Sequence, residues 1–534
     1  MFLATVALAT SVSGVSPLAP EMLAPGDPAW DDLWRLELSG ALPAGITSTR
    51  SVSRGEAAAW IANAERDPRA DPASLERLER AFARELRREG TPTPMRETRP
   101  VILLRGADAG ASARDARVLD GARSELRLGP TAGVQGQAGD GGRRKLGDST
   151  RVGIYGVYLI SDRAVLQGEI FVGRIPEGRS IGDPLINHTD ILYFSEDAGA
   201  TFAARELRMR FARARHHWGA GPGGSGSLLL DQRAQPIDHF EWNLDLPAGI
   251  RFVSWTGVLN AYEKRGIAAH RLDVPLGRNL RVALSEGVRY QGGFGDPLYL
   301  LGLLPYTLVQ RLNEQDTHLV TLRKPQRNNV LADAEIVWRP RPGGIVYGEM
   351  LVDDLPAATG HNPARIGARI GISAMPRVAG ARLEIDLEGT KVGRYVYAVA
   401  YDGGCECDWI HQNRAIGSPD GPDQEALRLR GVRSLGRDHQ IEIEFLYANR
   451  GAGRLGDAWV DGARDTGGTR HALEVSPPVE RDRRVTTIWR WTPRDNFFLE
   501  ISTGASFVRN AGNRATGEGY RSSLDGSTRA GWRL

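Results

Sequence analysis

The stretch ELRMRFARARHHWGAGPGGSGSLLLDQRAQPIDHFEWNLDL, residues 206–246, decides the fold. Its middle holds two overlapping matches to G-x-G-x-x-G, Gly219 to Gly224 and Gly221 to Gly226. That pattern marks a phosphate-binding turn only when it comes after a buried strand, opens a helix and precedes an acidic residue about 20 positions on. Here the flanks point elsewhere. Upstream, Leu207, Met209 and Phe211 alternate with Glu206, Arg208 and Arg210; downstream, Phe240, Trp242, Leu244 and Leu246 alternate with Glu241, Asn243 and Asp245. A period of two gives each strand one apolar and one charged face. Pro236 interrupts the segment between them, and the chain then enters a second strand rather than a helix. The glycines therefore read as a tight loop between strands, free to fold inward over whatever the strands enclose.

The same alternation runs on. Leu383, Ile385 and Leu387 oppose Arg382, Glu384, Asp386 and Glu388, and Ile441, Ile443, Phe445 and Tyr447 oppose Glu442 and Glu444. A soluble sandwich also alternates, so the connections have to discriminate. Short Pro/Gly turns (LDLPAGIRF, LDVPLGRNLRV, VWRPRPGGIVY, SAMPRVAGARL, RWTPRDNFFL) take turns with long polar segments such as RNAGNRATGEGYRSSLDG and residues 450–484. Short turns at one end and long loops at the other are the build of an outer-membrane barrel, with the short turns in the periplasm. At roughly 20 to 28 residues per strand and connection, residues 99–534 predict about 18 antiparallel strands. Trp255, Trp338, Trp489, Trp491 and Trp532 are candidates for its aromatic girdles. There is no run of 18 apolar residues, which excludes a helical span and says nothing against a barrel. Closing the sheet removes the edges that lipid could not satisfy.

Residues 20–98 read differently. Trp30, Leu33, Trp34 and Leu38 stand at helical spacing after Asp27 or Asp31 as N-cap; Ser53 and Glu56 form a capping box before EAAAWIANAE; Leu75, Leu78, Phe82 and Leu86 make one stripe that ends at Gly90. A small helical domain is expected, docked through Trp30, Leu33, Trp34, Leu75, Leu78, Phe82 and Leu86, with TPTPMRETRP (residues 91–100) as the linker. Residues 1–19, apolar and ending in small residues, are expected to be a secretory signal, although a positive n-region is missing. Lys plus Arg number 68 against 65 Asp plus Glu, a balance that leaves no electrostatic footprint for nucleic acid. Lysine occurs only at positions 145, 264, 324 and 391. The arginine excess is what GC-rich coding gives, and guanidinium forks also suit carboxylate-bearing ligands.

Within this frame WGAGPGGSGSLLLDQRAQP (residues 218–236) resembles the W-G-P-G…S-L-L-L-S…A-x-P element of the capsule assembly protein Wzi family, with Asp231 where a serine is expected. RSVSRGEAAAWI, IVYGEMLVDD (residues 345–354) and HQNRAIGSPDGPDQEALRLRG (residues 411–431) stand in the family's order, so the resemblance covers nearly the whole chain from about residue 28. It implies an outer-membrane β-barrel with a periplasmic helical part, acting at the cell surface to bind and organise capsular or related polysaccharide. The alternative is a passive channel for small solutes.

No catalytic constellation stands out, and no enzyme, cofactor or metal is expected: His216 and His217 lack an H-x-x-x-H partner and the ten histidines are scattered. Glu349 and Asp353 share strand parity with Asp354 beside them, which suggests either the paired carboxylates of a glycosidase or lumen acids neutralising lumen arginines. Arg208, Arg210, Glu241, Asn243 and Asp245 are expected to line a mixed-charge wall below the glycine-rich loop. That wall is either sealed by the loop as a plug or open as a surface for acidic glycan. These eight residues are the polysaccharide-binding or lumen candidates. Cys405 and Cys407, in a long loop, can form a tight disulfide, remain thiols or bind a metal. The expected partners are surface polysaccharide and outer-membrane lipid, around a monomer.

Overall fold

The computed structural model describes residues 21–88, 104–105, 125–139, 149–161, 163–174, 183–184, 191–223, 225–292, 294, 296–309, 328–354, 365–378, 380–399, 407–457, 474–494, 497–515 and 519–533. The expected signal, the linker and Cys405 lie outside them. Four helices open the chain: α1 (Ala29–Ser39), α2 (Arg54–Ala64), α3 (Pro72–Ala81) and α4 (Ala83–Arg88). Pro28 occupies the N-cap position of α1, while the Asp27 carboxylate accepts from the Ala29 N–H. Ser53 caps α2 by accepting from the Glu56 N–H, as the motif predicts; the Glu56 carboxylate does not complete the box and turns to arginines of the sheet. Asp71 caps α3, with Pro72 in its first turn. Trp30, Leu33, Leu78, Phe82 and Leu86 form one core with Leu75 at its edge, and Trp34 leaves it to pack on Val337, Ile345 and Tyr347 of the sheet.

Eighteen wall elements come next in the chain: β1 (Glu125–Gly139), β2 (Ser149–Ser161), β3 (Ala164–Arg174), β4 (Ile191–Phe194 continued by Ala198–Ala204), β5 (Leu207–Ala214), β6 (Ile237–Asp245), β7 (Arg251–Asn260), β8 (Arg265–Pro275), β9 (Leu280–Gln291), β10 (Asn328–Arg341), β11 (Gly344–Asp354), β12 (Arg365–Ala374), β13 (Ala381–Val392), β14 (Gln424–Leu435), β15 (His439–Arg450), β16 (Glu480–Arg494), β17 (Phe497–Arg509) and β18 (Arg521–Arg533). Each pairs antiparallel with the next, both halves of β4 with β3, and β18 pairs with β1 through Thr131 opposite Arg533 and Gly139 opposite Asp525. The order of neighbours thus returns to its start. Among the described residues the barrel has eighteen wall positions, one of them filled by two successive short strands.

Side chains alternate across this wall in the sense opposite to a soluble protein. Ile154, Ile170, Phe211, Ile370 and Ile372 are more than half exposed, while Arg271, Glu349, Arg369, Glu384, Asp386 and Arg430 are buried. Leu207, Met209, Phe240, Trp242, Leu244, Leu383, Ile385, Ile441 and Ile443 are half-buried or exposed, and Glu241, Asp386 and Glu442 beside them are buried. An apolar outer band and a polar inner wall are what a barrel presents to hydrocarbon and to its own lumen. The chain is an outer-membrane β-barrel.

Six short connections share one end, residues 205–206, 246–250, 276–279, 342–343, 375–380 and 436–438, while among the described residues the turn 261–264 is short at the other. The helices sit at that end. Ala44 N–H donates to Arg278 O, Gly343 N–H to Leu38 O, and Arg80 pairs with Asp438 at 3.1 Å. By the short-turn rule this end is periplasmic.

One girdle expectation differs from the structure. Trp338 is exposed and Trp489 and Trp491 stack half-buried near the 436–438 turn, but Trp255 is fully buried inside the barrel. The reason is parity, since Trp255 lies opposite Glu241, whose face is luminal. The side chain of Trp532 lies outside the described residues.

One part of the outer wall is covered. Ser254, His270 and Glu286 are cross-strand neighbours on the outer face of β7, β8 and β9, a polar row where hydrocarbon is expected. Residues 296–309, with the short helix α5 (Pro297–Leu300), fold down over it as a strap. Tyr299, Tyr306 and Val309 pack on Ala268, Val288 and Tyr290; Tyr306 N–H donates to Glu286; a Cβ on Gly302 would meet the Ser254 hydroxyl. Leu298, Leu301, Leu303, Leu304 and Leu308 face outward from the strap, which restores an apolar surface.

Candidate functional site in the barrel lumen

The glycine-rich loop folds inward. Trp218, Leu228, Leu229 and Leu230 are buried with Val253, Trp255, Ile267, Leu331 and Leu351 of the wall and with Val396, Tyr397, Trp409 and Ile416 of a second set of inward residues, 393–399 and 407–423. Tyr397 Oη donates to Leu228 O at 2.6 Å, Trp409 Nε1 to Leu229 O at 2.9 Å, and Asp231 N–H to Ile416 O at 2.9 Å. From the periplasmic side the N-terminal segment meets the same loop: Trp218 bridges Thr49, Gly219 N–H donates to Ser48 O, and Gly223 N–H donates to the Asp31 carboxylate at 2.7 Å. The glycines serve these approaches. Gly221 has φ of 120°, and a Cβ on Gly223 would fall on the Asp31 carboxylate. No helix begins after the loop, so its N–H groups face a plug and not a phosphate.

A ladder of opposite charges crosses the wall beneath the plug. Arg271 pairs with Asp273 at 3.0 Å and Glu335 at 2.7 Å; Arg369 with Glu349 at 2.9 Å and Glu388 at 3.0 Å; Arg430 with Glu384 and Asp386 at 2.9 Å and Glu442 at 3.2 Å; Arg490 with Glu500 at 2.6 Å. Buried charges persist only when partnered in this way. Among the inward loop's own ionisable groups, burial raises the Asp231 carboxyl, and Arg233 at 2.9 Å outweighs it and holds it below the usual carboxylate range.

The sequence-derived candidates fall into two groups. Arg208 (to Glu56 at 3.0 Å), Arg210 (to Asp197 at 2.6 Å), Glu241 (accepting from Ser51 and Asn243) and Asn243 (to Ser51 at 2.9 Å) stand where the wall meets the N-terminal segment or the neighbouring β4. Asp245 lies at the periplasmic turn, with Arg251 at 2.6 Å. Glu349 and Asp353 belong instead to β11, five strands further round the wall from β6: Glu349 accepts from Ser227 Oγ and the Leu228 N–H, and Asp353 from the Tyr397 N–H. They hold the two inward segments. The Asp354 side chain lies outside the described residues. Cys407 is disulfide-bonded, and the chain's other cysteine is Cys405.

Sequence reasoning missed the N-terminal contribution. Arg35 reaches Glu384 at 2.6 Å, Arg339 donates to Glu37 O and Leu42 O, and Thr49 donates to Asp273. It also missed Asp423, which accepts from Gly453 and Ser476 and ties residues 451–457 and 474–476 to the plug. The one signal available was the RSVSRGEAAAWI motif, read for its cap and not for the polar residues before it.

No family model and no curated protein matches the chain. Among solved structures, it is similar to Escherichia coli Wzi, described as an outer-membrane protein involved in group 1 capsule assembly and a carbohydrate-binding β-barrel, with a TM-score of 0.60, 14% identity and coverage of 96% of this chain and 99% of that one. Pseudomonas aeruginosa OprD matches with a TM-score of 0.43, 9% identity and coverage of 77% and 95%. The fold is Wzi-like.

Proposed function

We propose that this barrel is a lectin-like surface protein that binds and organises capsular or related polysaccharide, without enzymatic activity. The filled lumen carries the reading. Three segments meet inside the wall, whose charges are largely paired across its strands and to those segments, so the interior acts as a rigid support and binding falls to the outer rim. The similarity to a barrel described as carbohydrate-binding supports the same reading. On the loop side a cleft is lined by Gly226, Arg233, Ser418, Asp420, Gln424 and Arg428. Its guanidiniums and amides suit the hydroxyls and carboxylates of an acidic glycan through charge-assisted bonds. Purified native surface polysaccharide should be retained by the detergent-solubilised protein, and Arg428→Gln, which also gives up the pair with Glu444 at 3.4 Å, should weaken retention at least about tenfold while the protein stays folded. Equal retention by wild type and variant removes the cleft from the reading, and no retention by the wild type removes the function.

A channel is the second reading, and one observation favours it. Arg484 and Arg529 point into the lumen from β16 and β18, and their side chains remain 43% and 51% exposed, so water reaches the luminal face at these two positions. Stable single-channel conductance in planar bilayers would establish a conduit along this side of the lumen.

A further inference from the structure

We propose that His216, His239 and Glu241 form a site for a divalent transition metal of the zinc class that fastens the inward loop to the barrel wall. His216 is the second residue of the loop after β5, whereas His239 and Glu241 lie on one face of β6. One donor atom from each lies within 4.8 Å of the others, and all three residues are buried. His216 Nδ1 and Glu241 Oε2 are 3.7 Å apart. Two ligands of a tetrahedral zinc at 2.0–2.2 Å stand about 3.3 Å from each other, so binding asks for small side-chain rotations only.

The surroundings orient each donor. His239 Nδ1 donates to Ile237 O at 2.8 Å, which leaves the lone pair on Nε2, and that buried nitrogen has no hydrogen-bond partner. A backbone carbonyl on the far ring nitrogen is the usual outer shell of a metal-bound imidazole. His216 presents Nδ1 to the site, and its ring is fixed by parallel stacking on Trp255 at 4.2 Å and edge contact with His239 at 4.4 Å. Glu241 receives Ser51 and Asn243 on Oε1, leaving Oε2 turned to His216. Arg210, directly across the strand pair from Glu241, is the one guanidinium that competes, and it spends its charge on Asp197. Two imidazoles and one carboxylate match zinc and its neighbours, whereas magnesium and calcium want oxygen. Water completes the fourth position.

The test uses the full chain in detergent, stripped with a chelator and titrated with zinc chloride. Expected are one zinc per chain by elemental analysis, a Kd below about 1 μM, no comparable uptake of magnesium, and a rise in melting temperature on zinc addition. His239→Gln and His216→Asn should each weaken zinc binding more than about tenfold. Because either variant can fail to fold, wild-type protein loaded with cobalt(II) gives a second readout, an intense visible band of a four-coordinate ion with nitrogen and oxygen ligands. Absence of saturable zinc uptake by folded wild type, absence of that band, or uptake that survives both substitutions would overturn the site.

Discussion

Arg430 is the residue on which the lumen ladder turns. Its guanidinium serves Glu384, Asp386 and Glu442 at once, all of them buried. Arg430→Ala leaves three carboxylates short of their main counter-charge, and the expected loss is about 3–5 kcal/mol, the scale of breaking a buried pair from one side. Arg208→Ala should cost less, since Glu56 keeps Arg251; denaturant melts of the two variants compare them directly, and equal losses would contradict the ladder. Asp31 adds a pH dependence. Burial pushes its carboxyl up, but Arg430, Arg490, Arg35 and the Gly223 N–H prevail and hold it at about 2. In the unfolded chain it titrates near 3.9. A carboxyl depressed by folding stabilises above the unfolded value, and that contribution is lost as pH falls from about 4 towards 2. Asp31→Asn should therefore be less stable than wild type at pH 6 and should converge on it near pH 2; parallel melting curves at every pH would refute the assignment.

At the scale of elements, the strap over β7 to β9 behaves as a patch on the membrane face. Without it Ser254, His270 and Glu286 would meet hydrocarbon, where polar groups are costly. Replacing residues 296–309 by a Gly/Ser linker should lower stability in lipid by about 1–3 kcal/mol. The added changes His270→Leu and Glu286→Leu should restore most of it. If the double change rescues nothing in a urea unfolding series in liposomes, the strap has another purpose. The two inward segments are elements of a different sort, held by backbone groups on carboxylates, Leu228 N–H on Glu349 and Tyr397 N–H on Asp353, so their placement depends on the wall behind them.

For the whole molecule the two faces set the response to added charge. Ile370, 62% exposed in the middle of β12, faces outward. Ile370→Arg should cost about 2–4 kcal/mol near the bilayer midplane. Ser502→Arg, on the luminal face of β17 between Ile488 and Ser527, should be nearly neutral. Unfolding titrations from lipid vesicles measure both, and comparable costs would undo the distinction between the faces.

Local pattern was sufficient for the barrel itself. Alternation in residues 206–211, 240–246, 382–388 and 441–445, with short turns facing long loops, defined antiparallel strands and their two faces, while the periplasmic place of the helices came only from the resemblance. These properties depend on neighbours one or two residues apart, so a linear reading reaches them. Only the tertiary structure decided what fills the lumen. In residues 252–259 both faces are apolar or small, because the inner one packs on the plug, so parity could not turn Trp255 inward. The pairing of Arg35 with Glu384, the meeting of His216 with Glu241 and the strap over Glu286 join residues far apart in sequence. Such contacts depend on register and closure around the whole ring, quantities that no single stretch of sequence contains.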